Sequence, residues 1–484
     1  MGDDRIGLRG DRGAVLGAMM LATGLIAIDA TIIATAVPSV VRDIGGFHQF
    51  PWLFSIYLLA QAVSVPVYGK LNDMFGRKPI ILSGIALFLL GSIFCGAAAN
   101  IWLLIAFRAV QGLGAGAIQP TTITIIGDLY SVAERAKVQG YVASVWGVSS
   151  VVGPTLGGVF SEYVSWRWIF FVNVPLCLLA AWMILRKFHE DRDRARPVVD
   201  YRGAALLTVG LTLLILGVLE GGQAWGWTSP AGVAILGLGA LLLIAFGFVE
   251  RTAAEPVLPL WIFRRRLLVI SGQLSLGIGA VLMALSSYVP TYAQEVLGAG
   301  PLVAGLALAA FTLGWPVAAS QSGRVYLRFG FRVCALTGAT LVLAGSALLL
   351  LLGRHSSLVE VAGICMIIGL GMGLTASPTL IAAQSSVGWA ERGVVTANNI
   401  FLRSVGSALG VAVFGAVANA VLGSGAVTAA GLTTAVHRIF IGVVVVAALM
   451  VVLAALLPAD TPQQPAASAE DARAAPPSTR PRGR

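Results

Sequence analysis

The chain has 484 residues, of which 57% are hydrophobic and 11% charged, and its mean hydropathy is +0.87. A soluble domain carries about 25% charged residues, so this much apolar surface excludes a soluble fold and calls for lipid as solvent. The formal charge of +10 then points to basic loops on one side of a membrane, with the bilayer as partner and no nucleic acid.

The start, Met1 to Arg12, is polar and charged. The apolar run after it is too long for a cleavable signal and continues as a span. A helix needs about 20 apolar residues to cross a bilayer. That ruler gives fourteen runs, grouped as six in 14–186, two in 203–249 and six in 268–457. Residues 1–13 form a short N-terminal segment, 187–202 and 250–267 are linkers, and 458–484, rich in Pro, Ala and Arg, is a disordered tail. The expected fold is an all-α polytopic membrane protein.

Charge fixes the orientation. Lys70, Arg77, Lys78, Arg135, Lys137 and the triplet Arg264–Arg266 fall in connectors of one side, assigned to the cytoplasm. The other side carries only Arg42, Arg167, Arg354 and Arg438. Both termini are then cytoplasmic. Dropping one of the two middle spans would put the arginine triplet outside, so an odd count is excluded.

In the first span, Asp29 lies about 21 Å from the inner end and about 13 Å from the outer end at about 1.5 Å per residue. It is the one acid well inside an expected span. A carboxylate there must be paired, protonated or wet; a structural hydrogen bond to a neighbouring helix is the other reading. Between the second and third spans lies Gly69-Lys70-Leu71-Asn72-Asp73-Met74-Phe75-Gly76-Arg77-Lys78. Its two glycines suit a tight turn, its cations hold the inner face, and Asp73 can pair with a neighbouring helix end. In the fourth span, Arg108, Gln111, Ala115 and Gln119 stand at i, i+3, i+7 and i+11, a polar stripe on one face. Arg108 is close to Asp29 in depth, or else snorkels to the headgroups. Gly112, Gly114 and Gly116 thin the same helix for close packing. The fifth span holds Gly147, Gly153, Pro154, Gly157 and Gly158, a bent, closely packed helix. A later string, Gly323 to Arg332, repeats the glycine spacing of Gly69–Lys78 with Leu327 where Asp73 stands. Two related halves with a site between them are a common plan of secondary transporters.

The string Gly69–Lys78 resembles the signature between the second and third helices of the major facilitator superfamily. Arg108–Gly112 is similar to its fourth-helix motif, and Gly147–Gly158 to the antiporter signature of its exporters. Asp29–Ile33, Trp166–Pro175, and Arg392-Gly393 with Asn399, Arg403 and Gly410 resemble the fourteen-helix drug/proton antiporters. The resemblance implies two six-helix bundles plus two extra central helices, lying peripherally. It implies a proton-driven multidrug exporter in the cell (inner) membrane, one that confers antibiotic resistance, exchanging drug-like compounds for protons by alternating access. The alternative is a dedicated exporter of one endogenous metabolite, antibiotic or siderophore. Proton coupling is expected at Asp29 and Arg108, and conformational gating at Gly69, Asp73, Gly76, Arg77 and Lys78. A substrate cavity is expected from Gln111, Gln119, Gln273, Tyr288 and Tyr292. The later spans carry no acid; Glu295, Glu360 and Glu391 fall near their ends, so a preference for dications is not expected. The four histidines are isolated, the four cysteines lack metal spacing, and no phosphate-binding loop is present. No enzyme activity, metal, cofactor or required protein partner is expected, only a proton gradient as energy source.

Overall fold

The computed structural model describes residues 12–45, 52–190, 200–221, 225–226, 228–253, 256–422 and 429–459. The expected N-terminal segment up to residue 11, linker residues 191–199 and the tail from residue 460 lie outside the described residues. The described chain folds as fifteen α-helices. The first group is α1 (Gly13–Ile44), α2 (Trp52–Phe75), α3 (Arg77–Gly96), α4 (Ile101–Leu129), α5 (Val132–Tyr163), α6 (Trp168–Phe171) and α7 (Asn173–Lys187). A pair follows, α8 (Tyr201–Glu220) and α9 (Pro230–Glu250). The last group is α10 (Arg266–Glu295), α11 (Pro301–Phe329), α12 (Phe331–Leu349), α13 (Leu358–Ser385), α14 (Arg392–Leu422) and α15 (Ala429–Ala455). With α6 and α7 joined into one span, 14 are long and apolar enough to cross a membrane. They are apolar around the whole circumference, because their outer faces meet lipid and their inner faces meet other apolar helices.

Each six-span group has its own core. In the first, one apolar cluster joins Leu16, Met19, Ile26, Phe88 and Ile184, and a second joins Ile32, Leu53, Cys95, Leu104 and Phe170. In the last group, Ile278, Val281, Phe311, Ile368 and Phe440 belong to a single larger cluster. The four cysteines are buried and unbridged. Glycines set the spacing inside the first bundle. A Cβ on Gly91 would stand 2.7 Å from the Gln111 backbone, and one on Gly112 2.5 Å from the Tyr57 carbonyl oxygen, so α4 is wedged between α3 and α2. The pair α8/α9 packs on the outside. Leu207, Leu211 and Ile215 of α8 meet Leu59, Ala62 and Val63 of α2, with Phe401 and Ala408 of α14 at the edge of the same cluster.

One expectation needs correcting. The strings Gly69–Lys78 and Gly323–Arg332 are not loops framed by two glycines. Helix α2 runs through Asp73 to Phe75, and only Gly76 (φ 89°) breaks it; Gly330 (φ 87°) does the same after α11. Gly69 and Gly323 are helical packing positions. A Cβ on Gly69 would stand 3.0 Å from the Gly393 carbonyl oxygen, and one on Gly323 would stand 2.7 Å from Ala136. Both contacts cross from one bundle to the other, at the end that carries the α2–α3, α4–α5 and α11–α12 connectors. This is the basic end. The bundles are closed against each other there, through α2 on α14 and α5 on α11.

Candidate functional site

A polar layer separates the two apolar clusters of the first bundle. Asp29 of α1 and Arg108 of α4 are each 1% exposed. Arg108 Nη1 donates to Asp29 Oδ2 at 2.6 Å, to Gln111 Oε1 at 2.7 Å, and Nε to the Leu53 carbonyl at 3.2 Å. Gln111 Nε2 donates to Asp29 Oδ1 at 2.7 Å. Gln111 and Asn173 of α7 both donate to Ser92 Oγ of α3, at 2.9 Å each, and Asn173 reaches Asp29 Oδ1 at 3.4 Å. The Tyr57 ring lies 4.1 Å from the Arg108 guanidinium carbon, a cation–π contact from α2. Arg108 therefore points into the bundle and not to the headgroups. Side chains of five helices meet in this layer, and both oxygens of Asp29 have donors, which is how a buried charge pair is kept; the Asn173 Oδ1 and the Tyr57 hydroxyl of the same layer have no partner among the described residues.

The polar stripe of α4 divides along its length. Gln111, expected to line a substrate cavity, is fully buried in this layer, because the Asp29 and Ser92 oxygens lie within its reach. Gln119, farther along, is part-buried and accepts from Gln61 of α2 at 2.8 Å. The three cavity candidates on α10 do not converge. Gln273 is exposed, and Tyr288 sits near Gly415 of α14. Tyr292 is 1% exposed, packs edge-on against Phe440 and donates to the Gly353 carbonyl at 2.7 Å, so it belongs to the core of the second bundle. Gln273 lies 15 residues before Tyr288, about 22 Å along α10 at about 1.5 Å per residue, and Tyr292, one turn beyond Tyr288, is taken up by Phe440 and the Gly353 carbonyl. In α5, Gly153 lies against Thr31 of α1, whose hydroxyl donates to the Ser149 carbonyl at 2.9 Å. A Cβ on Gly147 would stand 3.8 Å from Leu313 of α11, Gly157 is buried, and Gly158 faces open space. The side chain of Pro154 lies outside the described residues.

At the basic end, Asp73 caps a helix of the other bundle. Its two oxygens accept the backbone N–H groups of Gly393 (2.9 Å) and Val394 (2.8 Å), in the first turn of α14. A carboxylate is favoured there by the unsatisfied amides and the helix dipole. Arg77 lies 3.1 Å from Asp73 and 3.0 Å from Asp128 of α4, and Asp128 in turn binds Arg392 of α14 at 3.0 Å. The Arg77 guanidinium also stacks 3.8 Å over Trp389 and donates to its carbonyl at 2.6 Å. Glu190, just after α7, accepts from the N–H groups of Arg77 (2.9 Å) and Lys78 (3.0 Å), capping α3. Lys78 Nζ reaches the Leu185 carbonyl at 3.1 Å. Arg135 of α5 donates to Ser385 of α13 at 3.1 Å, and the Tyr326 hydroxyl of α11 donates to the Val132 carbonyl. A cavity of about 270 Å³ opens beside Asp73, bounded by Lys70, Trp261 and Glu391. At the opposite end, Asp43 lies beyond the first span. Bonds from Arg167 (2.6 Å) and Trp166 (3.0 Å) hold its carboxyl below the usual carboxylate range.

Sequence spacing brought Asp29, Arg108 and Gln111 to one depth. It did not show Ser92, Asn173, Tyr57, Asp128, Glu190 or Trp389. Of these, Asp128 and Glu190 are acids at helix ends beside basic loops, and that is the signal that could have found them.

The Major Facilitator Superfamily profile matches residues 19–411. Multidrug resistance protein 3 of Bacillus subtilis strain 168 is 35% identical over 403 residues, covering 83% of this chain and 78% of its own. Multidrug transporter protein MdtP of the same organism is 33% identical over 408 residues, covering 83% and 75%. Among solved structures, the human organic anion transporter MFSD10 (TETRAN) superposes with TM-score 0.64 at 17% identity, over 92% of this chain and 99% of that one. It shares the fold. The chain belongs to the major facilitator superfamily and is of its multidrug-efflux type. It is a multi-pass membrane transporter of small molecules, not an enzyme.

Proposed function

We propose that this protein exports amphipathic, drug-like compounds across the cytoplasmic membrane in exchange for protons, with its basic end and both termini in the cytoplasm. The observation that carries this reading is the buried Asp29–Arg108 pair, an ionisable couple deep in the membrane with five helices gathered on it. Such groups are costly in lipid and are kept where a proton or substrate uses them. A proton on Asp29 cancels its charge, and the charge-assisted bonds from Arg108 and Gln111 weaken. Helix α4 then loses its tether to α1. The same helix carries Asp128 at its basic end, 20 residues on and about 30 Å away at about 1.5 Å per residue. There Asp128 joins Arg77 to Arg392 across the bundles. One continuous helix, with Pro120 inside it, thus links the protonation site to the contacts at the closed basic end. Transport follows by rocking the two bundles between inward and outward openings.

The test is Asp29→Asn in proteoliposomes. It keeps the shape and several hydrogen bonds but cannot carry the proton. Drug movement driven by an imposed pH gradient falls at least a hundredfold, while exchange of labelled for unlabelled drug without a gradient continues. Gradient-driven transport at the wild-type rate would exclude Asp29 as the coupling acid.

A further inference from the structure

Most buried arginines of the described chain are paired. Arg77 and Arg108 bind carboxylates, and Arg135 binds a serine and two carbonyls. Arg403 differs. It stands eleven residues beyond Arg392 on α14, about 16 Å from the basic end at about 1.5 Å per residue, well inside the hydrocarbon. It is partly buried, and among the described residues it has no hydrogen-bond or ion-pair partner. No carboxylate of the second bundle can serve, because Glu295, Glu360 and Glu391 all sit at helix ends.

Its position on the helix says where it faces. Thr396, Arg403 and Ser407 lie at i, i+7 and i+11, one face of α14. At the basic end of that face Thr396 accepts from Gln384 of α13 at 2.9 Å; farther along, Ser407 donates to the Gly279 carbonyl of α10 at 3.2 Å. Ala397 and Ile400, on the neighbouring face, pack against Val65 of α2. The Arg403 face therefore looks between α10, α13 and the first bundle, toward the seam that opens when the bundles rock.

We propose that Arg403 is the docking point for an anionic group on the transported compound, a carboxylate or a similar planar oxyanion, so that the preferred substrates are amphipathic monoanions. This rests on the exporter reading above and names its substrate class. A guanidinium in low dielectric without a counter-ion is strongly unfavourable, and an incoming carboxylate meets it with two parallel hydrogen bonds. An outward-moving monoanion is also pushed by an inside-negative membrane potential, so its export does not oppose the field.

The test uses two matched probes, dansylglycine and its neutral amide dansylglycinamide, with the full-length protein in detergent. Binding is read from the shift of dansyl emission. Wild type binds the carboxylate at least tenfold more tightly than the amide. Arg403→Gln brings that ratio near one, and Arg403→Lys restores part of it, since charge remains but the planar fork does not. Equal or weaker binding of the carboxylate by wild type, or an unchanged ratio in Arg403→Gln, overturns the proposal. The wild-type ratio decides the matter even if the glutamine variant does not fold. Because binding is measured without a gradient, loss of proton-driven export with the preference intact would overturn the exporter reading instead.

Discussion

The two bundle crossings at the basic end are built on one plan and held by different chemistry. In both, a glycine seven residues before the helix break lets a helix of one bundle lie against a helix of the other. At the α2/α14 crossing, Asp73 supplies the N-terminal cap of α14 from the opposite bundle. At the α11/α5 crossing, Leu327 stands in that place and is exposed. Helix α5 does not need the service, because its own Glu134 accepts from the Ser131 N–H (2.7 Å) and hydroxyl (2.8 Å). The work of contact passes to Tyr326, which stacks on Phe331 at 4.6 Å and reaches the Val132 carbonyl. Parting α11 from α5 costs a hydrogen bond and apolar contact. Parting α2 from α14 also strips a helix of its cap and leaves a carboxylate to find new donors. The first crossing is therefore the charge-sensitive one.

Exchanging the two side chains would break this comparison. Asp73→Leu should have the largest effect: transport falls more than tenfold and the basic end opens, as read by accessibility of a cysteine placed at Gly388, while binding in detergent survives. A lost cap alone is worth about 0.5–2 kcal/mol, and the bonds to Arg77 go with it. Leu327→Asp, at the matching position, should change transport less than twofold. Equal effects at both positions would mean that the cap is not what holds the seam.

The glycines sharpen it further. A Cβ on Gly393 would stand 2.6 Å from the Gly69 carbonyl oxygen, against backbone, whereas one on Gly323 would be too close only to the Ala136 methyl, at 2.7 Å. Both Gly393→Ala and Gly323→Ala should weaken closure. Ala136→Gly should then rescue the second and have no effect on the first. A rescue of neither would place the clash elsewhere.

The smallest effect belongs to the opposite end. Asp43 and Arg167 lie in the same bundle, so Asp43→Asn should leave the balance of open states unchanged. It should lower the melting temperature slightly at neutral pH. The folded carboxyl titrates below the unfolded one, so its contribution is complete above the unfolded pKa and vanishes as pH falls through the folded value. The two proteins should therefore melt alike once the pH is below the folded carboxyl's lowered pKa. A difference that persists in acid would remove the ion pair as its cause.

Much of this was legible in the residues. Apolar runs and the alternation of basic connectors gave the fourteen spans, since bilayer thickness and the cost of moving cations fix both. The Asp29–Arg108 pairing followed from matched depth. The partners that complete it were not legible, because Ser92 and Asn173 are single polar residues in apolar runs whose facing depends on how α3 and α7 rotate. The trans cap on α14 was hidden for a related reason. It joins residues 320 positions apart, and local pattern reports only what one helix offers. Gln273, Tyr288 and Tyr292 misled because a shared helix face does not put residues at one depth: Gln273 is about 22 Å along α10 from Tyr288 at about 1.5 Å per residue, and Tyr292 is taken up by Phe440 and the Gly353 carbonyl.

The placement of α8 has a mechanical consequence. It touches α2 and α14 together, on the lipid side of the more charge-dependent crossing. When those two helices separate, the gap on that flank opens beneath a fixed apolar cover, and acyl chains do not wedge into it. The corresponding flank of α5 and α11 has no such gasket among the described residues. A compound dissolved in the bilayer beside the basic end thus meets one shielded wall and one bare one, and the transporter is left-right asymmetric toward the membrane although the glycine-spaced string recurs in both halves.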